Sequence, residues 1–151
     1  MKLAEALMYR SDYQVKIEKL KNRIVNNVQI QEGEELLEDP KTLLKELNFL
    51  TSELEEIIQK INRTNSQTPF DENMTISDAL AKRDIMMLKR RALEDVFACA
   101  SIRQTRISRS EIKFMTTIDV LELQKEIDQL SKAFRKIDTK IQELNWKTEL
   151  L

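Results

Sequence analysis

From Leu123 to Leu144 the apolar residues recur at intervals of four and three: Leu123, Ile127, Leu130, Phe134, Ile137, Ile141 and Leu144. That spacing is the seam of a coiled-coil helix, and Asp119 stands where it would cap the first turn. Three further stretches carry helical spacing. Leu3, Leu7, Tyr13, Ile17, Leu20 and Ile24 form one stripe, and Leu43, Leu47, Leu50, Leu54, Ile57, Ile58 and Ile61 a second. The third runs through Ile76, Leu80, Met87, Leu88, Ala92, Val96 and Cys99. The punctuation agrees with the stripes. Asp39-Pro40 offers a cap followed by a proline at the first helical position, and Thr75 with Asp78 has the spacing of a capping box. Asn26 and Asn27 predict an exit from the first helix, and the run from Asn62 to Asp71, with Pro69, predicts the end of the second.

Two segments alternate with period two instead. Val28-Gln29-Ile30-Gln31-Glu32 leads to Gly33, and Arg106 to Thr117 places Ile112 and Phe114 on the side expected to face the interior. Both predict short strands, which would pair within the chain or with a neighbour to satisfy their backbones. The expected fold is therefore mainly α: long antiparallel helices in a four-helix bundle or coiled coil, with a small two-stranded β element. It is read as one helical domain over residues 1–151. The helices fall at about 2–26, 40–62, 76–104 and 119–145, and the strands at about 28–32 and 106–116.

Composition narrows the chemistry. One glycine is too few for a phosphate-binding loop or a dinucleotide fingerprint. The absence of histidine removes His-dependent nucleophilic catalysis and the common zinc sites. Lys and Arg number 25 against 26 Asp and Glu, so no global field draws the chain to nucleic acid or an anionic membrane. The early charges Glu5 and Arg10 interrupt any signal-peptide core. No stretch approaches the ~18 apolar residues of a membrane span. The single cysteine, Cys99, excludes an intrachain disulfide and suits a reducing compartment. In Phe97-Ala98-Cys99-Ala100 it reads as a small buried residue of a helix face. A cytoplasmic location is expected, without stable membrane insertion.

Three polar groups are candidates for function. The acid-rich stretch Glu32, Glu34, Glu35, Glu38 and Asp39 could attract a hard cation but reads as a solvated loop. The basic cluster Lys82, Arg83, Lys89, Arg90 and Arg91, continued by Arg103, Arg106, Arg109 and Lys113, lacks interleaved aromatics. It is expected to form ion pairs rather than to bind nucleic acid. The third group sits at element ends: Arg63, Thr64 and Asn65, then Asp78 and Arg83, then Arg109 and Glu111, and Asn145 and Trp146. Loops converging at one end of a bundle can build a site, and the same residues can serve as caps and latches. No catalytic residue, cofactor or metal is assigned.

Several segments together resemble one bacterial family. They are Met-Lys-Leu-Ala-Glu-Ala-Leu at the start, Val28 to Glu35 followed by Glu38-Asp39-Pro40, Ile61 to Asn65, Asp78 to Asp84, Ser108 to Phe114, and Gln142 to Leu151. In that order and over nearly the whole length, the chain is similar to the septicolysin-like proteins, small helical proteins of uncharacterised function. The resemblance implies the helical fold, and the family name implies a cytolytic role. Read from the residues, the expected function is a non-enzymatic oligomeric scaffold or interaction protein, with a homo-oligomer built on the fourth-helix seam and the strands. The alternatives are a membrane-active protein, or an enzyme with a carboxylate–arginine site around Arg63, Asp78 and Arg109; a small-molecule ligand is left unknown.

Overall fold

A computed structural model describes residues 1–101 and 114–151. It contains four long helices: α1 (Leu3–Asn27), α2 (Pro40–Gln67), α3 (Ile76–Ser101) and α4 (Val120–Lys147). The chain is mainly α, as its spacing predicts, and the described residues contain only two isolated β-bridges and no strand. They divide into two units, Met1–Ser77 with Gln142–Leu151, and Asp78–Ile141.

In the first unit α1 and α2 pair along the expected stripes. Leu20, Ile24, Leu43 and Leu50 are buried against one another, with Tyr13, Ile17 and Leu47 packed on their edge. Removing such side chains from water contributes roughly 2 kcal/mol each. Asp39 caps α2, accepting from the Lys41 N–H at 3.2 Å and the Thr42 N–H at 3.3 Å, while Pro40 occupies the first turn. Asn27 closes α1: its amide donates to the Arg23 carbonyl at 2.8 Å, and its oxygen accepts from the Glu38 N–H at 3.2 Å. Arg23 pairs with the Glu38 carboxylate across the same connection.

The strand expected at 28–32 is absent. Val28 and Ile30, whose alternation suggested it, are 58% and 50% exposed, so the segment has no apolar face to bury. It turns instead: the Glu34 N–H bonds the Gln31 carbonyl at 3.0 Å, and Gly33 takes φ 88°, which its missing Cβ permits. Of the strand expected at 106–116, residues 106–113, including Ile112, lie outside the described residues. Phe114 to Thr116 form no strand, and Phe114 is exposed, not interior.

Extended pairing occurs elsewhere. Lys2 and Glu149 form an antiparallel bridge, with Leu3 N–H bonding the Thr148 carbonyl and Leu150 N–H the Met1 carbonyl, both at 2.9 Å. Pro69 bridges Thr75. α2 also runs past its expected end at 62. Thr64 is fully buried and donates its hydroxyl to the Lys60 carbonyl at 2.8 Å inside the helix. The helix stops at Thr68, where the following Pro69 forces an extended backbone.

In the second unit α3 and α4 run antiparallel, joined by Arg83 to Asp138 at 3.0 Å and Lys89 to Glu126 at 2.7 Å. Asp119 caps α4 as expected, accepting from the Leu121 and Glu122 N–H groups at 3.0 and 3.1 Å. Leu123, Ile127, Ile137 and Ile141 of the heptad seam are buried within this one chain.

Candidate functional site

The polar residues at element ends are placed in different settings. Arg63 is exposed near the end of α2, and Asn65 is half-buried. Asn145 is buried near the end of α4, while its neighbour Trp146 is 59% exposed. No hydrogen bond or ion pair among the described residues links Arg63, Asn65, Asn145 and Trp146. Asp78 is the acidic residue of the first turn of α3. Arg83 is committed to its own unit, forked between Asp84 and Asp138. Burial opposes its charge, but the hydrogen bonds to these two carboxylates outweigh burial and hold its pKa above the usual value. Arg109 and Glu111 lie outside the described residues.

The hydroxyl of Thr64 does more than these. It accepts from the Leu151 N–H at 3.0 Å while donating within α2, so it ties the last residues to that helix. A lone threonine between Arg63 and Asn65 carries no sequence signal for this role beyond its place in a polar run.

One cleft of about 230 Å³ opens in the first unit, between Tyr9 and Tyr13 of α1 and Glu53, Glu56, Ile57 and Lys60 of α2. Four of its polar groups pair with one another. Tyr13 donates to Glu53 at 3.3 Å, and Lys60 pairs with Glu56. Burial and the Glu53 charge both push the Tyr13 phenol up from its ordinary value. Among the described residues no three His, Cys, Asp or Glu side chains converge in a metal-binding group.

Three residues of the basic cluster form ion pairs, and Arg103, Arg106, Arg109 and Lys113 lie outside the described residues. Arg83, Lys89 and Arg90 face Asp138, Glu126 and Glu94, respectively. The open surface of α3 includes large apolar side chains among its charges. None of residues 80–101 is buried. Leu80, Met87, Leu93 and Phe97 are half-buried, but Ile85 and Leu88 are 63% exposed and Val96 45%. Cys99, expected inside, is exposed as well. Past the end of α3, a cavity of about 480 Å³ is lined by Val96, Cys99, Ala100 and residues 114–118. Phe114 and Met115 in its wall are 79% and 84% exposed. Among the described residues no helix is long and apolar enough to cross a membrane.

No curated protein matches the chain. A solved structure from Corynebacterium diphtheriae, described as that of a functionally unknown conserved protein, is 42% identical. It superimposes with a TM-score of 0.93, over 100% of this chain and 99% of that one. Neither it nor the matching family bears a septicolysin-like description. Residues 10–150 match the family described as "Family of unknown function (DUF6847)", and the chain belongs to that family.

Proposed function

We propose that this protein is a non-enzymatic, self-associating scaffold, and that the α3–α4 unit is the part through which it assembles. The observation that carries the reading is the exposure of α3: no side chain from 80 to 101 is buried, although the helix is rich in large apolar residues. A second α3–α4 pair laid on this open face would supply a further buried layer. The four-helix bundle expected of the sequence would then form between chains. Because Leu123, Ile127 and Ile137 are buried within the chain, the α4 seam serves that unit's own core. The test is absolute mass by light scattering across a wide concentration range. A fixed multiple of the chain mass supports assembly; a monomer at every concentration overturns it.

The septicolysin-like resemblance suggests a membrane-active protein instead, and exposed apolar residues on α3 would serve that role too. Leakage of dye from lipid vesicles at sub-micromolar protein would replace the scaffold reading with this one.

A further inference from the structure

α3 carries two apolar stripes, not one. At ~100° per residue, Ile85, Leu88, Ala92, Val96 and Cys99 fall within about 80° of arc. Leu80, Met87, Leu93 and Phe97 lie roughly on the other side and are half-buried, and on that side Arg83 reaches Asp138 of α4. A helix apolar on opposite sides is a helix with neighbours on both. The outer stripe is spaced 3–4–4–3 over fourteen residues, the length of two heptads, a spacing that keeps one face toward a neighbouring helix.

Charges flanking the outer stripe say what that helix is. Arg91 and Asp95 border it on the same side, both exposed, and neither forms an ion pair among the described residues. The other basic residues near them, Lys89 and Arg90, are already paired with Glu126 and Glu94. A two-fold axis at Ala92 sets a second α3 antiparallel against the first. Ile85 then meets Cys99 of the second copy, Leu88 meets Val96, and the small Ala92 side chains allow close approach. Arg91 of each chain falls beside Asp95 of the other, giving two symmetric ion pairs. A parallel pair would instead bring Arg91 against Lys89. Area is consistent with a stable pair. Ile85, Leu88 and Val96, with Phe114, Met115 and Ile118 beyond them, range from 41% to 84% exposed. At ~200 Å² for a fully exposed large side chain they present roughly 700 Å², near the ~800 Å² each partner brings to a standard interface.

We infer that the occupant of the outer α3 stripe is a second copy of this chain, docked antiparallel about Ala92 with Arg91–Asp95 pairs across the axis. This rests on the self-association proposed above and names its surface. The first experiment is Ile85→Cys oxidised with a mild copper oxidant, two thiols becoming one disulfide. Within one chain Cys99 lies fourteen helical residues away, ~21 Å, so a bond from position 85 to Cys99 must join two copies. The expected result is a covalent dimer with an 85–99 peptide cross-link, and no dimer from the unsubstituted chain. Leu88→Glu, at an exposed position, is expected to halve the light-scattering mass and to lower the melting of this unit to the value the unsubstituted chain shows at high dilution. Arg91→Asp alone is expected to weaken the dimer at least tenfold, and Arg91→Asp with Asp95→Arg to restore it. If the unsubstituted chain is a monomer throughout, the scaffold reading falls and this inference with it. If it is an oligomer that Leu88→Glu leaves unchanged and that forms no 85–99 bond, only this interface is overturned. A Cys99–Cys99 bond in the unsubstituted chain would likewise overturn the antiparallel arrangement.

Discussion

Thr64 shows how a single hydroxyl can hold distant segments. It is fully buried, donates to the Lys60 carbonyl and accepts from the Leu151 N–H. Thr64→Ala removes both hydrogen bonds of the hydroxyl, each worth about 0.5–1.5 kcal/mol net. Thermal denaturation followed by circular dichroism is expected to show a loss in that range, with Thr64→Ser recovering most of it. At the α1–α2 connection the relevant groups titrate. The Arg23 hydrogen bond holds the Glu38 carboxyl below its usual range, and the Thr42 hydroxyl and Lys41 N–H do the same for Asp39. Their pKa values are lower folded than unfolded. The stabilisation is therefore complete above the ordinary carboxylate range and is lost as pH falls through and below it. Arg23→Gln is expected to lower the melting temperature at neutral pH, with the difference from the parent chain shrinking toward acid.

At the scale of the helix, the ends that the sequence announces are the ends observed wherever a side chain makes the cap. Asp39 and Asp119 each accept two N–H groups. Asp119→Ala is expected to cost about 1 kcal/mol, read as a lower urea midpoint with an unchanged slope. The end of α2 was harder to read, because Thr64 and Ser66 look like loop residues yet return their hydroxyls to Lys60 and Arg63 carbonyls of the helix. The alternation at 28–32 misled for a different reason: a period of two predicts a strand only where one face is buried, and Val28 and Ile30 are exposed. The pairing of Lys2 with Glu149 left no pattern, since a single bridge is too short to alternate. In α3 the apolar residues were legible but their grouping was not. Leu80 and Met87 belong to one side and Leu88, Val96 and Cys99 to another, a division that appears only when burial is known. Of the polar end-site, Arg83 has partners that explain its place, and they could not be read in advance because charge partners depend on which helices meet.

For the whole molecule, assembly and stability are one quantity if the α3–α4 unit completes its core with another chain. Melting of this unit is then expected to move to higher temperature as protein concentration rises, by mass action. The first unit, whose core of Leu20, Ile24, Leu43 and Leu50 is internal, is expected to melt independently of concentration. Calorimetry at several concentrations separates the two. Leu88→Glu is expected to remove the concentration dependence. The first unit also draws on residues far apart in the chain, since Leu3 bonds to Thr148 and Thr64 to Leu151. That pairing sets a timetable for synthesis. The α1–α2 hairpin is built from local contacts and is free to form as soon as it leaves the ribosome. Its remaining partners, residues 142–151, are made only after the second unit, Asp78–Ile141. Until then the nascent hairpin waits with part of its fold unclosed, and the last ten residues act as the latch that ends the waiting.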